Sequence, residues 1–335
     1  MRTIYIRVDC NSTIGYGHFF RCLAFAQYVA PYSKPLFITT EFPVFIQNML
    51  ASEGFETLLI SHCAEVEQEI EYIVSSFDIA HALFILDGYG FTSEYEKLLI
   101  LHGAQIIAID DLHNRYFYAH YIINQSDTVR EQDYSKESYS SLFSGFSKAL
   151  IRKEFFVPDN TVQQSISDIF ITLGGTYFPN VFTTIIKALQ PLTDITNIHV
   201  LAPSHNNARL ELQSIQSLGK RIHIYENIDA KQIIEIACIC KLAICPASVS
   251  ALELSAIGIG LFVGITAENQ RDTYDAFRAK QMAIAIGNIL DISAENLTNI
   301  LQENLYNTSD IIRHQRKYIN NSNIAFYEKF IQALL

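Results

Sequence analysis

The chain has 335 residues, which exceeds the usual size of one hydrophobic core, so we expect two domains. Hydrophobic residues make up 49% of the chain, which supports large buried cores and excludes a disordered protein. The formal net charge of -11 disfavours a general binder of nucleic acid or anionic membrane. The six cysteines lack metal-type spacing, and we find no secretory leader and no apolar run of bilayer length. We therefore expect a cytoplasmic protein with reduced thiols.

Short β-branched runs alternate with longer amphipathic stretches through the first half of the chain. The predicted strands there are IYIRVD, LFITT, TLLI, ALFILDG, QIIAIDD and YIIN. Several are apolar on both faces, as in parallel strands that helices cover on each side. This alternation predicts a doubly wound, Rossmann-like α/β domain over residues 1–157.

The pattern pauses near residues 155–166 and then restarts. The predicted strands of the second half are DIFITLGG, IHVLAP, IHIYEN, LAICP, GLFVGI and AIAIG. They predict a second Rossmann-like domain over 166–310, followed by C-terminal helices at 311–335 that pack back toward the first domain. Two doubly wound domains that face each other across a cleft would bind a ligand at the carboxyl ends of both sheets.

The stretch STIGYGHFFRC follows the first predicted strand directly. Gly15 and Gly17 permit backbone angles and close approaches that a side chain would block, and a helix is predicted to begin near His18. The stretch matches neither a Walker A loop nor the dinucleotide fingerprint. From these residues alone it is either a tight turn with a helix-capping histidine or a cradle for an anion beside a proton-transferring imidazole.

A similar turn opens the second half, where a predicted strand runs into Gly174, Gly175 and Thr176 and a helix follows from about Pro179. Backbone amides of such a turn, together with the Thr176 hydroxyl, are suited to phosphate oxygens. An ordinary glycine-containing βα turn is the alternative.

Two later strands also end at polar turns. Ser248 and Ser250 lead a predicted helix that carries Glu253, and Asn269 and Gln270 follow the next strand. Small side chains let a diphosphate approach a helix N-terminus, a carboxylate one turn inside accepts ribose hydroxyls, and side-chain amides suit a sugar. The alternative is that Ser250 caps the helix and Glu253 completes a capping box.

Acidic residues follow two strands of the first half. Asp87 and Tyr89 are expected to face the cleft; the alternative for Asp87 is that it simply ends its strand. Asp110, Asp111 and His113 suggest a metal site, but acids and histidines so close on one loop more often cap turns. We therefore expect no metal.

Taken together, these motifs resemble the UDP-2,4-diacetamido-2,4,6-trideoxy-β-L-altropyranose hydrolases of pseudaminic acid biosynthesis. The resemblance continues through LDGYGFTSEYEKLL, IIAIDDLHNRYFYAHYIINQ, GFSKALIRKEF, FITLGGT and AENQ, over residues 4 to about 285. The residues that match the family's first signature are Arg7, Asp9, Ile14, Gly15, Gly17, His18, Arg21, Cys22, Leu23 and Ala24.

This resemblance implies a GT-B fold and metal-independent hydrolysis of a UDP-sugar at its anomeric carbon, without a cofactor. It implies that His18 is the base that deprotonates water. The predicted partner is the small UDP-sugar, with no nucleic acid and no membrane; an oligomeric partner stays unknown. The expected residues for substrate and nucleotide are Asp9, Gly15, Gly17, Arg21, Tyr89, Gly174, Gly175, Thr176, Ser248, Ser250, Glu253, Asn269 and Gln270.

Two positions depart from the family pattern, since Tyr177 stands where Asp is common and Ala247-Ser248 where paired glycines are common. They leave the identity of the sugar or nucleotide open. The main alternative is a GT-B glycosyltransferase with a UDP-amino-sugar donor, in which His18 activates an acceptor hydroxyl. A non-catalytic sugar-nucleotide binder is a third hypothesis. The apolar run PLFITTEFPVFIQNML carries no basic residue for a membrane surface, which favours hydrolysis.

Overall fold

The chain divides into two compact units in a computed structural model that describes residues 2–11, 14–63, 65–158, 165–215 and 219–335. The first unit is Met1–Lys153 with Asn321–Leu335, and the second is Glu154–Asn320. Residues 159–164 of the predicted junction lie outside the described residues, as do residues 12 and 13 of the first glycine turn.

The first unit contains a seven-stranded sheet in which every neighbouring pair is parallel. Its strands in chain order are β1 (Ile4–Val8), β2 (Leu36–Thr39), β3 (Glu56–Leu59), β4 (Leu83–Asp87), β5 (Gln105–Ile109), β7 (Tyr121–Asn124) and β9 (Ser141–Ser144), and the pair β6 (Tyr116–Phe117) and β8 (Ser135–Lys136) lies apart from them. The spatial order is β3-β2-β1-β4-β5-β7-β9. The strand order reverses between β1 and β4, which makes their junction the topological switch point of a doubly wound sheet.

Helices cover both faces of this sheet because its central strands are apolar on each side: all five residues of β1 and of β4 are buried. The helices of the first unit are α1 (Gly17–Val29), α2 (Val44–Ser52), α3 (Val66–Ser76), α4 (Ser93–Leu101) and α12 (Ser322–Leu334). Two separate clusters of buried side chains, one for each face, form its core.

The second unit repeats this architecture with a six-stranded parallel sheet of order β12-β11-β10-β13-β14-β15. Its strands are β10 (Asp168–Thr172), β11 (Asn197–Leu201), β12 (Arg221–Tyr225), β13 (Leu242–Pro246), β14 (Gly260–Ile265) and β15 (Ile284–Asn288). Its helices are α5 (Val181–Leu189), α6 (Asn206–Ser214), α7 (Ala230–Ile239), α8 (Val249–Ile257), α9 (Arg271–Ala279), α10 (Ala294–Asn304) and α11 (Thr308–Tyr318). The switch point here is the β10–β13 junction.

The predicted C-terminal segment 311–335 is divided between the two units. Helix α11 belongs to the second, where the buried Gln315 side chain donates to the carbonyls of Ile259 and Met282 at 3.1 and 2.9 Å. Helix α12 belongs to the first, where Tyr327 stacks on Tyr28 with ring centroids 5.4 Å apart. None of the helices in the described ranges is both long and apolar enough for a membrane span.

One buried amide fastens α12 to the first unit. Asn323 is fully buried, and its Nδ2 donates to the carbonyls of Phe146 at 2.7 Å and Ala149 at 3.3 Å. We expect Asn323→Ala to lower the free energy of unfolding by about 1–3 kcal/mol, since both carbonyls lose a donor inside the protein. Calorimetry of the intact chain measures this loss.

Gln332→Ala is the matched control on the same helix, because the Gln332 amide is exposed and donates to the Tyr32 hydroxyl at 2.7 Å. It should change stability by less than about 0.5 kcal/mol. Equal free energies of unfolding for Asn323→Ala and the wild-type chain would contradict the assigned role of this amide.

Candidate active site

The predicted histidine lies in the first turn of the helix that follows β1. Helix α1 begins at Gly17 after Tyr16, which makes no side-chain cap bond. Gly15 has a φ of 87°, a left-handed conformation that favours glycine, and its amide donates to the Asn11 carbonyl at 2.8 Å. The turn therefore carries the chain from the carboxyl end of β1 to His18.

His18 contacts a buried carboxylate at the end of the neighbouring strand. Asp87 is the last residue of β4 and is fully buried, and its Oδ1 lies 2.6 Å from His18 Nδ1. Arg21 Nη2 lies 2.8 Å from the same nitrogen, and we assign the hydrogen to Nδ1 because the ionised carboxylate, the nearer of the two groups, only accepts. No described residue hydrogen-bonds His18 Nε2. With the hydrogen on Nδ1, Nε2 has a lone pair that can take a proton.

Arg21, one turn further along α1, holds the same carboxylate. Its Nε donates to Asp87 Oδ2 at 3.0 Å, and its Nη2 donates to Oδ1 at 2.7 Å. Its Nη1 donates to Asp111 Oδ2 at 3.1 Å. Burial alone would lower the pKa of Arg21, but Asp87 and Asp111 outweigh it and raise the pKa above its ordinary value. Arg21 is therefore a fixed positive charge between two carboxylates, and its proposed contact with substrate stays a prediction.

Tyr89 and Asp111 complete this group. The Tyr89 ring meets the His18 ring edge to face, with centroids 4.7 Å apart, and about half of Tyr89 is exposed. Its hydroxyl donates to Asp111 Oδ2 at 3.3 Å. The structure thus brings the predicted residues His18, Arg21 and Tyr89 together with two acids that the sequence analysis had not placed in the site, Asp87 and Asp111.

Asp9 occupies a different environment at the end of β1. Its Oδ1 accepts from Arg7 Nη1 at 2.6 Å, from the Thr39 hydroxyl at 3.0 Å, and from the amide and hydroxyl of Thr40 at 2.8 and 2.9 Å. Burial raises the pKa of the Asp9 carboxyl, but the bonds from Arg7 and Thr40 lower it by more. Asp9 therefore joins the ends of β1 and β2, and a role in substrate binding stays a prediction.

The loop after β5 explains why Asp110 and His113 occur together. Asp110 Oδ2 accepts from the amides of Leu112 and His113 at 3.2 and 2.7 Å and from the Tyr134 hydroxyl at 2.8 Å. Asp110 is thus the cap of this turn. Across the described ranges, no group of three or more His, Cys, Asp or Glu side chains is arranged to hold a metal.

In the second unit, the Gly174–Thr176 turn follows β10, and Gly174 has a φ of 80°. The helix predicted from about Pro179 is α5, which begins two residues later at Val181. Glu211 of α6 occupies this helix start: its Oε2 accepts from the Asn180 amide at 3.1 Å, and its Oε1 from the Thr183 amide at 2.8 Å. A side-chain carboxylate therefore already takes the place of an anion at α5.

Helix α8 has an open start. It begins at Val249 after Ser248, whose side chain makes no cap bond. Ser250 lies inside the helix, so the alternative in which Ser250 caps it and pairs with Glu253 is wrong. The amide of Ala251 donates to the Ser248 carbonyl at 3.0 Å, whereas those of Val249 and Ser250 have no acceptor among the described residues. Glu253 is buried one turn inside.

Asn269 and Gln270 lie after β14, in a short 3-10 turn at Glu268–Gln270. The Gln270 side chain closes its own loop, since Oε1 accepts from the Thr266 amide at 2.8 Å and Nε2 donates to the Thr266 hydroxyl at 3.1 Å. Strands β10, β13 and β14 are neighbours in the sheet. The three predicted turns of this unit therefore share one edge.

Comparison with solved structures defines the class of fold. MurG of Acinetobacter baumannii is similar with a TM-score of 0.68 and 12% identity, covering 99% of this chain and all of that one. HepE of Anabaena, solved with UDP and glucose, has a TM-score of 0.64 at 10% identity, and the alignment covers 99% of this chain and 99% of that one. UGT71G1 of Medicago truncatula, solved with UDP-glucose, has a TM-score of 0.66 at 12% identity, and the alignment covers 99% of this chain and 98% of that one. The chain has the GT-B fold.

A more specific likeness comes from sequence. The chain is 28% identical over 237 residues to the UDP-2,4-diacetamido-2,4,6-trideoxy-beta-L-altropyranose hydrolase of Campylobacter jejuni, over 67% of this chain and 79% of that protein. No protein-family model matches the chain.

The geometry of His18 predicts its neutral tautomer. We expect the hydrogen on Nδ1, because Asp87 Oδ1 accepts there, and a bare Nε2. Nitrogen-15 NMR distinguishes the two tautomers, and the spectrum of His18→Gln assigns the signal. In Asp87→Asn the preference should weaken. A wild-type protein with the hydrogen on Nε2 would contradict the donor assignment.

Proposed function

We propose that this protein hydrolyses a UDP-linked 2,4-diacetamido-2,4,6-trideoxyhexose of altro form at its anomeric carbon, releasing UDP and the free sugar for pseudaminic acid biosynthesis in the cytoplasm. The observation that carries the proposal is the His18–Asp87 pair, in which Nε2 of His18 has no hydrogen-bond partner among the described residues. The likeness to the Campylobacter jejuni hydrolase and the GT-B fold support it.

In this reaction His18 acts as the general base. As the oxygen of water bonds to the anomeric carbon, Nε2 takes the proton of that water. The bond between the anomeric carbon and the β-phosphate oxygen breaks, and its electron pair leaves with UDP. Asp87 holds the imidazole in the required tautomer and stabilises the imidazolium that forms, while Arg21 orients Asp87.

The second unit supplies groups suited to UDP. The open amides at the start of α8, beside the small side chains of Ser248 and Ser250, suit the diphosphate, and the buried Glu253 suits the ribose hydroxyls. The Gly174–Thr176 turn, whose Gly175 and Thr176 amides have no acceptor among the described residues, offers further donors. Asn269 is proposed to bind the sugar, and Gln270 to hold the shape of that loop.

The second candidate is a glycosyltransferase with the same kind of donor. It is favoured by the solved neighbours, which include a glycosyltransferase from Rickettsia africae, with a TM-score of 0.65 at 11% identity. The same base would then take the proton of an acceptor hydroxyl in place of water. The two candidates differ only in the oxygen that reaches the anomeric carbon.

Incubation of the purified protein with the altro UDP-sugar in ¹⁸O-labelled water, without any acceptor, separates the two candidates. We expect UDP release, with the label in the free sugar and none in UDP, since the attacked atom is carbon. Mass spectrometry of both products measures this. UDP release that requires an added acceptor would instead establish transfer, and label in UDP would place the attack on phosphorus.

Removal of the base should abolish turnover without loss of nucleotide binding. We expect His18→Gln to lower kcat by about 10²–10⁴-fold, the usual contribution of a general base. The affinity for UDP, measured by titration calorimetry, should stay within about threefold of wild type because UDP does not need the base.

His62→Gln is the matched control, since His62 is an exposed histidine of the same unit. It should retain full activity. Near-normal turnover of His18→Gln would remove His18 from the role of base.

A further inference from the structure

Asp111 contacts the site from a third element, the loop after β5. Its Oδ2 accepts from Arg21 Nη1 at 3.1 Å and from the Tyr89 hydroxyl at 3.3 Å. Its Oδ1 is buried and has no hydrogen-bond partner among the described residues. A buried carboxylate oxygen without a donor is costly, so a simple structural tie to Arg21 does not account for this acid.

The charges around His18 indicate what Asp111 contributes to the site. Among the described residues, the titratable groups in contact with His18 or with its partners Asp87 and Arg21 are Tyr89 from the loop after β4, Cys22 from α1, and Asp111. Burial keeps the pKa of the Cys22 thiol well above its ordinary value, so Cys22 stays uncharged. Two carboxylates and one guanidinium therefore leave one negative charge in excess while the imidazole is neutral.

A proton on His18 cancels this excess. His18, Arg21 and Asp87 are each less than one-tenth exposed, so water screens their charges weakly. Without Asp111, Arg21 and Asp87 would neutralise each other, and the imidazolium would form as an uncompensated buried charge.

We propose that Asp111 is a positioning residue for the base: it holds Arg21 against Asp87 and supplies the negative charge that balances the imidazolium formed when His18 takes a proton. The kinetic part of this inference rests on the proposed function. The electrostatic part concerns the ligand-free protein.

Asp111→Asn tests the inference, because it keeps the shape and an oxygen acceptor for Arg21 but removes the charge. We expect the pH at which half of His18 is protonated, measured by NMR in the ligand-free protein, to fall by about one unit. The sign follows because the lost negative charge had favoured the protonated imidazole. The acidic limb of the kcat/KM profile should move in the same direction, with kcat lowered and KM little changed.

Two further variants serve as controls. Asp111→Glu keeps the charge and should retain the wild-type NMR midpoint. Asp78→Asn makes the same chemical change before the start of β4, where Asp78 accepts from the Ala80 amide at 3.2 Å, and should leave the midpoint unchanged. An unmoved midpoint in folded Asp111→Asn would overturn the inference.

If Asp111→Asn does not fold, Asp111→Ser carries the same expectation. Failure of both to fold, while Asp111→Glu folds, would give Asp111 a purely structural role and also overturn the inference. A shifted midpoint in a protein without hydrolase activity would support the electrostatic role and overturn only the proposed function. Hydrolase activity with an unmoved pH profile in Asp111→Asn would support the proposed function and overturn the inference about Asp111.

Discussion

The carboxylate of Asp87 is the group on which the arrangement of the first unit's site depends. It is fully buried, and a buried charge costs several kcal/mol unless it is paired and hydrogen-bonded. Both of its charged or polarised partners, His18 and Arg21, come from one face of α1. The pairing that makes the buried charge tolerable therefore also fixes α1 against β4 and sets the orientation of the imidazole. In this unit, contacts that stabilise the fold therefore also orient the His18 imidazole.

This pairing occurs where the topology of the sheet favours it. β1 and β4 are neighbours at the switch point, so the helix after β1 and the last residue of β4 reach the same edge. The second unit has the corresponding junction between β10 and β13. There, too, the turns at the carboxyl edge carry the polar groups, but the two helix starts differ: Glu211 fills that of α5, and that of α8 stays open. An anion at α8 would meet the amides of Val249 and Ser250, which have no acceptor among the described residues.

Much of the fold could be predicted because its strands are apolar runs bounded by polar turns. All twelve predicted strands occur in the two sheets, with ends that differ by at most three residues. β9 was not predicted, because Ser141–Ser144 is a short, serine-rich edge strand without a buried residue. Ser250 shows a pattern that the structure does not use. Its spacing from Glu253 matches a capping box, but α8 already begins at Val249, so Ser250 lies inside the helix. Spacing alone does not define where a helix starts.

The candidate site was predicted only in part. His18, Arg21 and Tyr89 were expected near substrate, whereas Asp87 had two open interpretations and Asp111 had been weighed as a metal ligand and rejected in favour of a turn cap. An acid at the end of a buried strand is a usable signal, but its partner is not visible in the sequence. The role of Glu211 could not be predicted from the sequence. Glu211 lies within α6, and only the folded unit brings it against the start of α5, where it accepts from the Asn180 amide.

The sequence by itself determined the strands, the glycine turn that ends at His18, and the acidic residues at strand ends, because these depend on residues within a few positions of each other. The tertiary structure alone decided which of them meet. Asp87 lies 69 positions from His18, and Asp111 lies 90 positions from Arg21. These contacts depend on the order of β1, β4 and β5 in the sheet, and that order results from the packing of the whole unit.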